Sequence, residues 1–400
     1  MTLRPDTSPC TIGDVCDFES GNGFGPQDWK PKGLPIIRIQ NLNGADSFNY
    51  FDGEPDPAWL VEPNDLLFAW AGVKGVSFGP TIWHGPQGVL NQHIYRIRPK
   101  KGINKRWLYY ALLEVTAEIE RKAHGFKTSL VHVHKADITR ARISLPGEHE
   151  QEAVATTLGY WDSAIQKTEQ LIAAKERHFS GLVSLLINGP SKSEAWRHVS
   201  IRDIANRVQR QGDGGDYPLL TISSASGFMR QEDRYSRYMA GESAKTYTLL
   251  RAGEFSYNKG NSKRYEFGCV FQLQNHDAAL VPSVYVSFRL NDSVCAAYVR
   301  HLFVADYLKP QLRALVKTGV RNNGLLNISP DEFLSTTVPL PPLDQQTKIA
   351  QVLNAASADI DLLKRQLAAL RVQKRGLMQK LLTGQWRLPV PAKTKEVSNA

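Results

Sequence analysis

Two long stretches of this chain repeat without a gap at a constant offset of 195 residues, which carries Leu145 onto Leu340. The first covers 145–189 and the second 340–384. Each opens with a Leu-Pro pair and closes on a glycine that suits a helix C-cap. Because a repeat decides how many structural units a chain contains, this one predicts two copies of a single arrangement within the 400 residues.

Inside each copy, apolar residues recur in alternating steps of four and three, the pattern of a coiled-coil seam, and no proline interrupts either run. At about 1.5 Å per residue, positions 154–186 span roughly 50 Å. We expect the two apolar stripes to pack on each other. An ordinary helical hairpin inside one core is the alternative, but some 150 residues separate the two stretches. The apolar seam residues are Val154, Leu158, Trp161, Ile165, Ile172, Phe179, Leu182, Leu186, Ile349, Leu353, Ile360, Leu363, Leu367, Leu370, Leu377 and Leu381.

The regions before the helices, 1–144 and 190–339, are similar in size and rich in short β-type runs separated by glycine and proline. They echo each other in order: 11–15 parallels 200–204, 35–37 parallels 218–220, and 63–67 parallels 252–256. Each then passes through an amphipathic helix, near 105–122 or 292–316. The helices repeat well while the preceding regions diverge, as expected for two differently tuned modules on one scaffold.

The predicted fold class is α+β, with two mixed α/β recognition domains joined by two long coiled-coil helices in a pseudo-two-fold internal repeat. The predicted boundaries are 1–144 for the first domain, 145–189 for the first spacer helix and 190–339 for the second domain. The second spacer helix then covers 340–386, and a tail covers 387–400.

Lysine and arginine number 49 against 39 acidic residues, giving a formal charge of +10 and a pI near 9.3. A basic surplus fits a polyanionic partner such as nucleic acid, although basic charge alone is a weak signal.

The four cysteines are too few and scattered for a disulfide framework or a zinc site. Neither an apolar leader nor a run of 18 apolar residues is present, so a cytoplasmic protein without a membrane partner is expected.

At this point the sequence resembles the specificity subunits of type I restriction-modification systems, over essentially the whole chain. The resemblance is carried by the opening Ile12-Gly13-Asp14-Val15, by two variable regions, and by two boundary phrases of the second helix. These phrases are Leu340-Pro-Pro-Leu-Asp-Gln-Gln and Leu377-Met-Gln-Lys-Leu-Leu-Thr-Gly. The first helical copy departs from them, with Gly147-Glu-His-Glu-Gln and Leu185-Leu-Ile-Asn-Gly.

The resemblance implies that each domain reads one half of a bipartite double-stranded DNA target. It also implies that the helices pack antiparallel and act as a ruler between the half-sites. Implied partners are two modification (methyltransferase) subunits and motor-nuclease restriction subunits. S-adenosylmethionine and ATP are expected on those partners only, and no cofactor or metal is expected on this chain.

Candidate DNA-contacting residues are amide, basic and aromatic side chains in turn-prone segments, since lysine and arginine suit phosphate or guanine and asparagine suits adenine. Turn chemistry alone also places Asn and Gly in loops, so a structural role remains the alternative at each position. In the first domain they are Gln40, Asn41, Asn43, Lys74, Asn91, Gln92, His93, Lys127, Thr128 and Ser129. In the second they are Tyr257, Asn258, Lys259, Asn261, Lys263, Arg264, Tyr265, Lys317, Thr318, Arg321, Asn322 and Asn323.

No catalytic residue is predicted. The glycine-rich segment 21–25 is surrounded by prolines and lacks the strand-then-helix setting of a dinucleotide site. No Gly-Lys-Ser/Thr phosphate loop occurs, and His132 and His134 lack further metal ligands. A non-catalytic DNA-specificity subunit is therefore the favoured function. A coiled-coil adaptor with protein-binding heads and a stand-alone DNA-modifying enzyme are its rivals.

Overall fold

The structure, a computed structural model, describes residues 10–73, 75–122, 130–189, 196–234, 246–316 and 325–388, without the side chains of residues 130 and 131. The chain divides into two compact units. Unit 1 comprises residues 1–169 and 366–400, and unit 2 comprises residues 170–365. The division falls within both long helices, so each unit holds one globular head together with half of each helix.

The head of unit 1 consists mainly of short strands around one long helix. Its elements are β1 (Cys10–Thr11), α1 (Ile12–Val15), β2 (Cys16–Ser20), β3 (Leu34–Ile37), α2 (Ile39–Leu42), β4 (Tyr50–Phe51), β5 (Leu60–Val61), β6 (Leu66–Ala69), β7 (Ala71–Val73), β8 (Gly79–Ile82), β9 (Gly88–Leu90), β10 (Ile94–Pro99), α3 (Lys105–Lys122), β11 (Leu130–His132), α4 (Lys135–Thr139) and β12 (Arg142–Ile143). The first long helix, α5 (Glu148–Val183), follows and ends in a π-helical turn, Ser184–Asn188.

The head of unit 2 has a similar order of elements. They are β13 (Arg197–Ser200), α6 (Ile201–Ile204), β14 (Ala205–Arg207), β15 (Leu220–Ser223), β16 (Gly227–Arg230), α7 (Gln231–Arg234), β17 (Thr248–Arg251), β18 (Phe255–Asn258), β19 (Cys269–Gln272), β20 (Ala278–Val281), β21 (Val286–Leu290), α8 (Ala296–Val304), α9 (Lys309–Leu315), α10 (Pro330–Leu334) and β22 (Thr337–Leu340). The second long helix, α11 (Leu343–Leu382), closes the described fold.

The central sheets of the two heads have the same topology. In unit 1 the order is β2-β10-β6-β8, and in unit 2 it is β14-β21-β18-β19, with antiparallel pairing throughout. The register matches as well, because Ile97 faces Leu66 and Phe288 faces Phe255. The faint echo between the two heads is therefore a true structural repeat.

The turn before the third strand of each sheet shows why the echo survives in the sequence. Asn64 has a φ of 72° and Gly253 a φ of 86°, a left-handed conformation that glycine and asparagine adopt most readily. An acidic side chain follows in each head and accepts a backbone N–H three residues back: Asp65 from Glu62 at 2.9 Å, Glu254 from Arg251 at 2.8 Å. The turn geometry thus selects the residue types that repeat.

Each unit closes its core with opposite ends of the two long helices. In unit 1 the start of α5 (Val154, Leu158) shares a core with the end of α11 (Leu381, Leu382). In unit 2 the end of α5 around Val183 shares a core with the start of α11, at Ile349 and Leu353. Within unit 1, Glu169 pairs with Arg371 at 2.6 Å and Asp162 with Lys374, so the helix segments run antiparallel there.

The seam positions occupy this interface to different depths. None of the predicted seam residues is exposed. Val154, Leu158, Ile172, Ile349, Leu353, Ile360 and Leu381 are buried, and the other seam residues are half-buried, as expected where two helices cover each other.

The structure corrects three details of the sequence interpretation. The helix predicted at 292–316 is two helices, α8 and α9, because Pro310 cannot continue a helix through the carbonyl of Asp306, whose φ is 57°. Gly384 is left-handed (φ 71°) as a C-cap requires, but Gly189 stays right-handed at the end of the π-helical turn. The β-type run Ile36-Ile37-Arg38-Ile39 is strand only in its first half, because β3 ends at Ile37 and Ile39 begins α2.

None of the helices in the described ranges is long and apolar enough to cross a membrane. Across the same ranges, no group of three or more His, Cys, Asp and Glu side chains is placed to hold a metal ion.

Candidate nucleic-acid interface

Four of the predicted contact residues of the first head meet at one edge of unit 1. Strands β3 and β9 are parallel, with Ile37 beside Leu90, so the residues that follow each strand emerge together. Gln40 on one side and Asn91, Gln92 and His93 on the other line an open cleft of about 330 Å³. Arg38, which was not among the predicted contacts, lines it too. We call Arg38, Gln40, Asn91, Gln92 and His93 the ledge.

The glycine-rich segment 21–25 packs against the ledge at Asn91 and Gln92. A Cβ atom on Gly21 would lie 2.3 Å from the carbonyl oxygen of Asn91, and one on Gly23 would lie 3.0 Å from Gln92 Oε1. Asn22 N donates to the Leu90 carbonyl at 2.8 Å. Gly21 therefore allows close backbone approach to the end of β9 and to Asn91, and Gly23 leaves room for the Gln92 side chain, so packing accounts for both glycines without a bound nucleotide.

Arg38 is held rigidly at the ledge. Its guanidinium carbon lies 4.4 Å from the centroid of the Trp29 ring, a cation–π contact. Its Nε and Nη2 are shielded from solvent and have no hydrogen-bond partner among the described residues. Its backbone N–H donates to Asn41 Oδ1 at 3.0 Å.

The structure removes Asn41 from the contact surface. Its side chain is 6% exposed, and its Nδ2 donates to the carbonyls of Ala45 and Ser47, each at 2.9 Å. Every strong polar group of this amide is therefore used inside the protein, where it fixes Arg38 and the α2 turn. Asn43 is exposed beyond the end of α2, outside the ledge. The predicted contacts Lys74, Lys127, Thr128 and Ser129 lie outside the described residues.

Aromatic rings border the ledge at His93. The Trp70 ring lies 5.1 Å from the His93 ring and stacks on Tyr95 at 6.1 Å, and its Nε1 donates to the Gln92 carbonyl at 3.1 Å. The exposed His132 ring is 6.0 Å from Trp70 on another side. The sequence reasoning missed Trp70 because nothing in its local pattern separates it from a core tryptophan.

In unit 2 the predicted loop 257–265 separates into buried tyrosines and exposed polar residues. Asn261, Lys263 and Arg264 are exposed, and Lys259 is half-buried. Ser262 closes the loop, because its Oγ accepts the Tyr265 N–H at 3.0 Å. The loop thus presents an amide and cations on a fixed turn.

Tyr257 and Tyr265 are corrected from contact residues to core residues. Tyr257 is fully buried, stacks on Phe333 at 4.3 Å and donates to the Phe267 carbonyl at 2.7 Å. Tyr265 is 3% exposed and donates to the Val304 carbonyl at 3.1 Å. Burial raises the pKa of both phenols, so they stay neutral donors.

Asn258 is half-buried and bonds to the Ile222 carbonyl and the Gly260 N–H. The predicted contacts Lys317, Thr318, Arg321, Asn322 and Asn323 lie outside the described residues.

A second cleft lies in unit 2, and it brings together three arginines that are far apart in the sequence. It has a volume of about 500 Å³ and is lined by Arg210, Arg251 and Arg289 around the turn at Gly253. Arg210 forms an ion pair with the buried Glu254, and Arg289 lies 3.5 Å from Asp292. Since these arginines come from the segment after β14, from β17 and from β21, no local motif could have predicted the cluster.

The same glutamine anchors each head to its following helix. Gln151 Oε1 accepts the Asn104 N–H at 2.8 Å, and its Nε2 donates to the Pro146 carbonyl at 3.0 Å. Gln346, one repeat later, accepts the Cys295 N–H at 3.0 Å and donates to the Pro341 carbonyl at 2.7 Å. Both side chains are 2% exposed. The repeated Leu-Pro boundary is thus the place where head and helix are joined.

Comparison with known proteins agrees with this architecture. Residues 6–176 match a family model described as the type I restriction modification DNA specificity domain. The EcoBI specificity subunit of Escherichia coli is 25% identical over 45% of this chain and 38% of that protein, so this match spans little more than a third of the relative. The EcoKI specificity subunit of Escherichia coli is 24% identical over 90% of this chain and 84% of its own length.

One solved structure extends the likeness to the whole fold. The crystal structure of a type I restriction-modification S subunit from M. genitalium superimposes with a TM-score of 0.56. It covers 96% of this chain and 98% of that chain at 16% identity. This similarity is one of fold, and it includes the second head, which the family model does not match.

Proposed function

We infer that this chain belongs to the type I restriction-modification DNA specificity family and is the subunit that reads a bipartite DNA target with one half-site per head. The observation that carries the inference is the repeat: two heads with one sheet topology, each anchored to its helix by the same glutamine. Duplicated heads with different surface chemistry suit a target with two unlike halves. The family matches favour this function over an adaptor without a DNA role.

The proposal includes the rest of the machine. Two modification subunits supply S-adenosylmethionine chemistry, restriction subunits supply ATP-driven motor and nuclease activity, and this chain contributes no catalytic group. Relatives named as specificity subunits of type I restriction enzymes support this division of labour. A cytoplasmic location, where chromosomal DNA is accessible, belongs to the same proposal.

The long helices would set the distance between half-sites. Helix α5 has 36 residues and α11 has 40, which correspond to about 54 and 60 Å. Two heads that face the same side of B-DNA need half-site centres about one helical turn, roughly 34 Å, apart. The bases between the half-sites would then go unread.

A matched insertion tests the ruler. Three heptads are added to α5 after Leu171 and three to α11 after Leu367, so that the seam stays in register and both helices lengthen by about 31 Å. With the modification subunits present, we expect the methylated motif to keep both half-sites while its spacer grows by about one turn of B-DNA, roughly nine to ten base pairs. The double variant Glu176→Gln with Lys364→Gln serves as the control, since it alters an exposed pair without changing length. An unchanged spacer would overturn the ruler.

Replacing residues 1–144 with the first head of another family member tests independent reading. The methylated motif should change in one half only. Reconstituted complexes should also lose affinity for the target steeply as salt rises, because phosphate contacts release counterions. A motif altered in both halves, or binding insensitive to salt, would contradict the proposal.

A further inference from the structure

The ledge of unit 1 contains an arginine whose chemistry is incomplete within the protein. Nε and Nη2 of an arginine point from the same edge of the guanidinium plane, so together they form a two-pronged donor. In Arg38 these are the two nitrogens that lack a partner among the described residues. Leaving buried donors unpaired is unfavourable, and such a group calls for an explanation.

The surroundings of Arg38 indicate which acceptor it takes. The cleft is lined by one cation, Arg38, and by amide, imidazole and apolar or aromatic side chains, with no acidic residue among them. Gln40 and Gln92 are exposed, and Asn91 is half-buried beside them. Phosphate sites generally combine several cations or backbone N–H groups, whereas amides next to an arginine fork match the mixed donors and acceptors of base edges.

We propose that Arg38 is a specificity-determining residue of the first head, whose Nε and Nη2 donate to O6 and N7 of a guanine in the major groove. This rests on the proposed function and deepens it by naming the base and the residue. Two adjacent acceptors on one edge are what this donor pair requires, and among the bases guanine alone offers them in the major groove.

The fork is preorganised by its neighbours. Asn41 is the positioning residue, because its Oδ1 accepts the Arg38 N–H while its Nδ2 donates to the carbonyls of Ala45 and Ser47 in the segment after α2. Trp29 covers one face of the guanidinium and is itself 37% exposed. Nε and Nη2 are shielded from solvent, so guanine reaches them when an exposed side chain of the cleft, such as Trp29 or Gln40, moves aside.

The test uses this chain in complex with its modification subunits. Affinity is measured for the methylated motif and for a panel in which each base pair of the first head's half-site is replaced. Arg38→Ala should remove about tenfold to a hundredfold of discrimination at a single G·C pair and leave the other positions unchanged. Arg142→Ala, an exposed arginine of the same unit on β12, is the control and should leave the whole profile intact.

Substitution of that guanine by 7-deazaguanine separates base from backbone. The analogue lacks the N7 acceptor, so it should weaken the wild-type complex but not Arg38→Ala. Arg38→Lys should restore affinity better than discrimination, because lysine is a point charge without a planar fork.

Three outcomes overturn the assignment. If Arg38→Ala weakens all targets equally and lowers the salt slope, the residue contacts phosphate. If it changes nothing, the ledge is not a contact surface. If the discrimination disappears at an A·T pair, guanine is the wrong base. By contrast, a wild-type complex that shows no sequence preference at all would count against the proposed function itself.

Discussion

The junctions between head and helices differ in the two units, although the anchor glutamines are the same. In unit 1 the Tyr110 hydroxyl donates to Asp162 at 2.6 Å, and Lys374 pairs with Asp162 and lies 5.3 Å from the Tyr110 ring. In unit 2, His301 occupies the position of Tyr110 and bonds to Asn354 at 2.8 Å, while Phe179 packs on the imidazole at 6.0 Å.

The junction of unit 1 thus contains a carboxylate–ammonium pair, whereas unit 2 has an imidazole and an amide at this place, with Arg300 donating to the same Asn354 oxygen. Burial lowers the pKa of His301, so the imidazole carries no charge at neutral pH. Lys374 and Phe179 are equivalent positions of the 195-residue repeat, which means that the seam exchanged a cation for a ring at one point. A duplicated scaffold can therefore keep its anchor and still differ in how strongly salt and pH act on each head.

The largest expected effect is a loss of stability at the buried helix seam that both units share. Leu158→Ala in unit 1 and Leu353→Ala in unit 2 each truncate a side chain with no exposed surface at equivalent seam positions. Each should lower the free energy of unfolding by about 3 kcal/mol, because a cavity is left in a packed core. Hydrogen exchange followed by mass spectrometry would assign the loss to the unit that carries the change. Equal loss of protection in both units after either substitution would contradict separate cores.

The ionic junction of unit 1 should be the next most sensitive. Asp162→Asn leaves Lys374, whose side chain is 16% exposed, without its anion and should cost about 1–2 kcal/mol. Denaturant unfolding at low and high salt would show the difference shrinking as salt rises. The matched control is Glu169→Gln, which breaks a more exposed pair with Arg371. If the control costs as much as Asp162→Asn, the junction has no special role.

The stability of unit 2 should depend on pH through Asp306, which lies between α8 and α9. Burial raises the pKa of Asp306 from 3.8 to about 6. The folded state therefore binds the Asp306 proton more tightly than the unfolded state does. The contribution of this proton to the free energy of unfolding is complete below pH 4 and is lost as pH rises through 6. Asp306→Asn should stabilise unit 2 by about 1 kcal/mol at pH 7, discounted for partial exposure, and by nothing at pH 3.5. Asparagine also tolerates the positive φ. A pH-independent gain, measured by unfolding at both pH values, would contradict this cause.

The smallest effect is expected at the exposed pairs, where the units should behave alike. Lys364 lies 2.7 Å from Glu176, and both side chains are about half exposed. Glu176→Gln should change the free energy of unfolding by less than about 0.5 kcal/mol, because solvent and salt screen exposed ions. Calorimetric unfolding would check it. A loss above 1 kcal/mol would show that the helix pair depends on these surface ions.

The pairing of the two long helices could largely be predicted from the sequence. Residues 366–388 contain Arg371, Lys374 and other cations but no acidic residue, whereas 148–169 carry five acidic residues and one lysine. This opposite charge, together with the shared seam, favours packing of the start of α5 on the end of α11, as unit 1 shows. The prediction erred at Pro310, where local chemistry ended a helix that the apolar period would have continued.

The candidate contacts were less predictable. Composition singled out Asn41, Tyr257 and Tyr265, whose side chains the fold buries, because asparagine and tyrosine satisfy interior hydrogen bonds as readily as they meet DNA. It passed over Arg38, which differs from any surface arginine only through Trp29 and the neighbouring strand β9.

The sequence by itself determined the number of copies, the length and seam of the helices, and the turns that require Asn64 and Gly253, since each depends on residues close together or at one fixed offset. Only the tertiary structure decided which side chains meet. The ledge joins residues some 50 positions apart through a parallel strand pair, and the junctions join three elements of each unit. Such contacts depend on strand order and on helix pairing, and neither leaves a local trace in the order of amino acids.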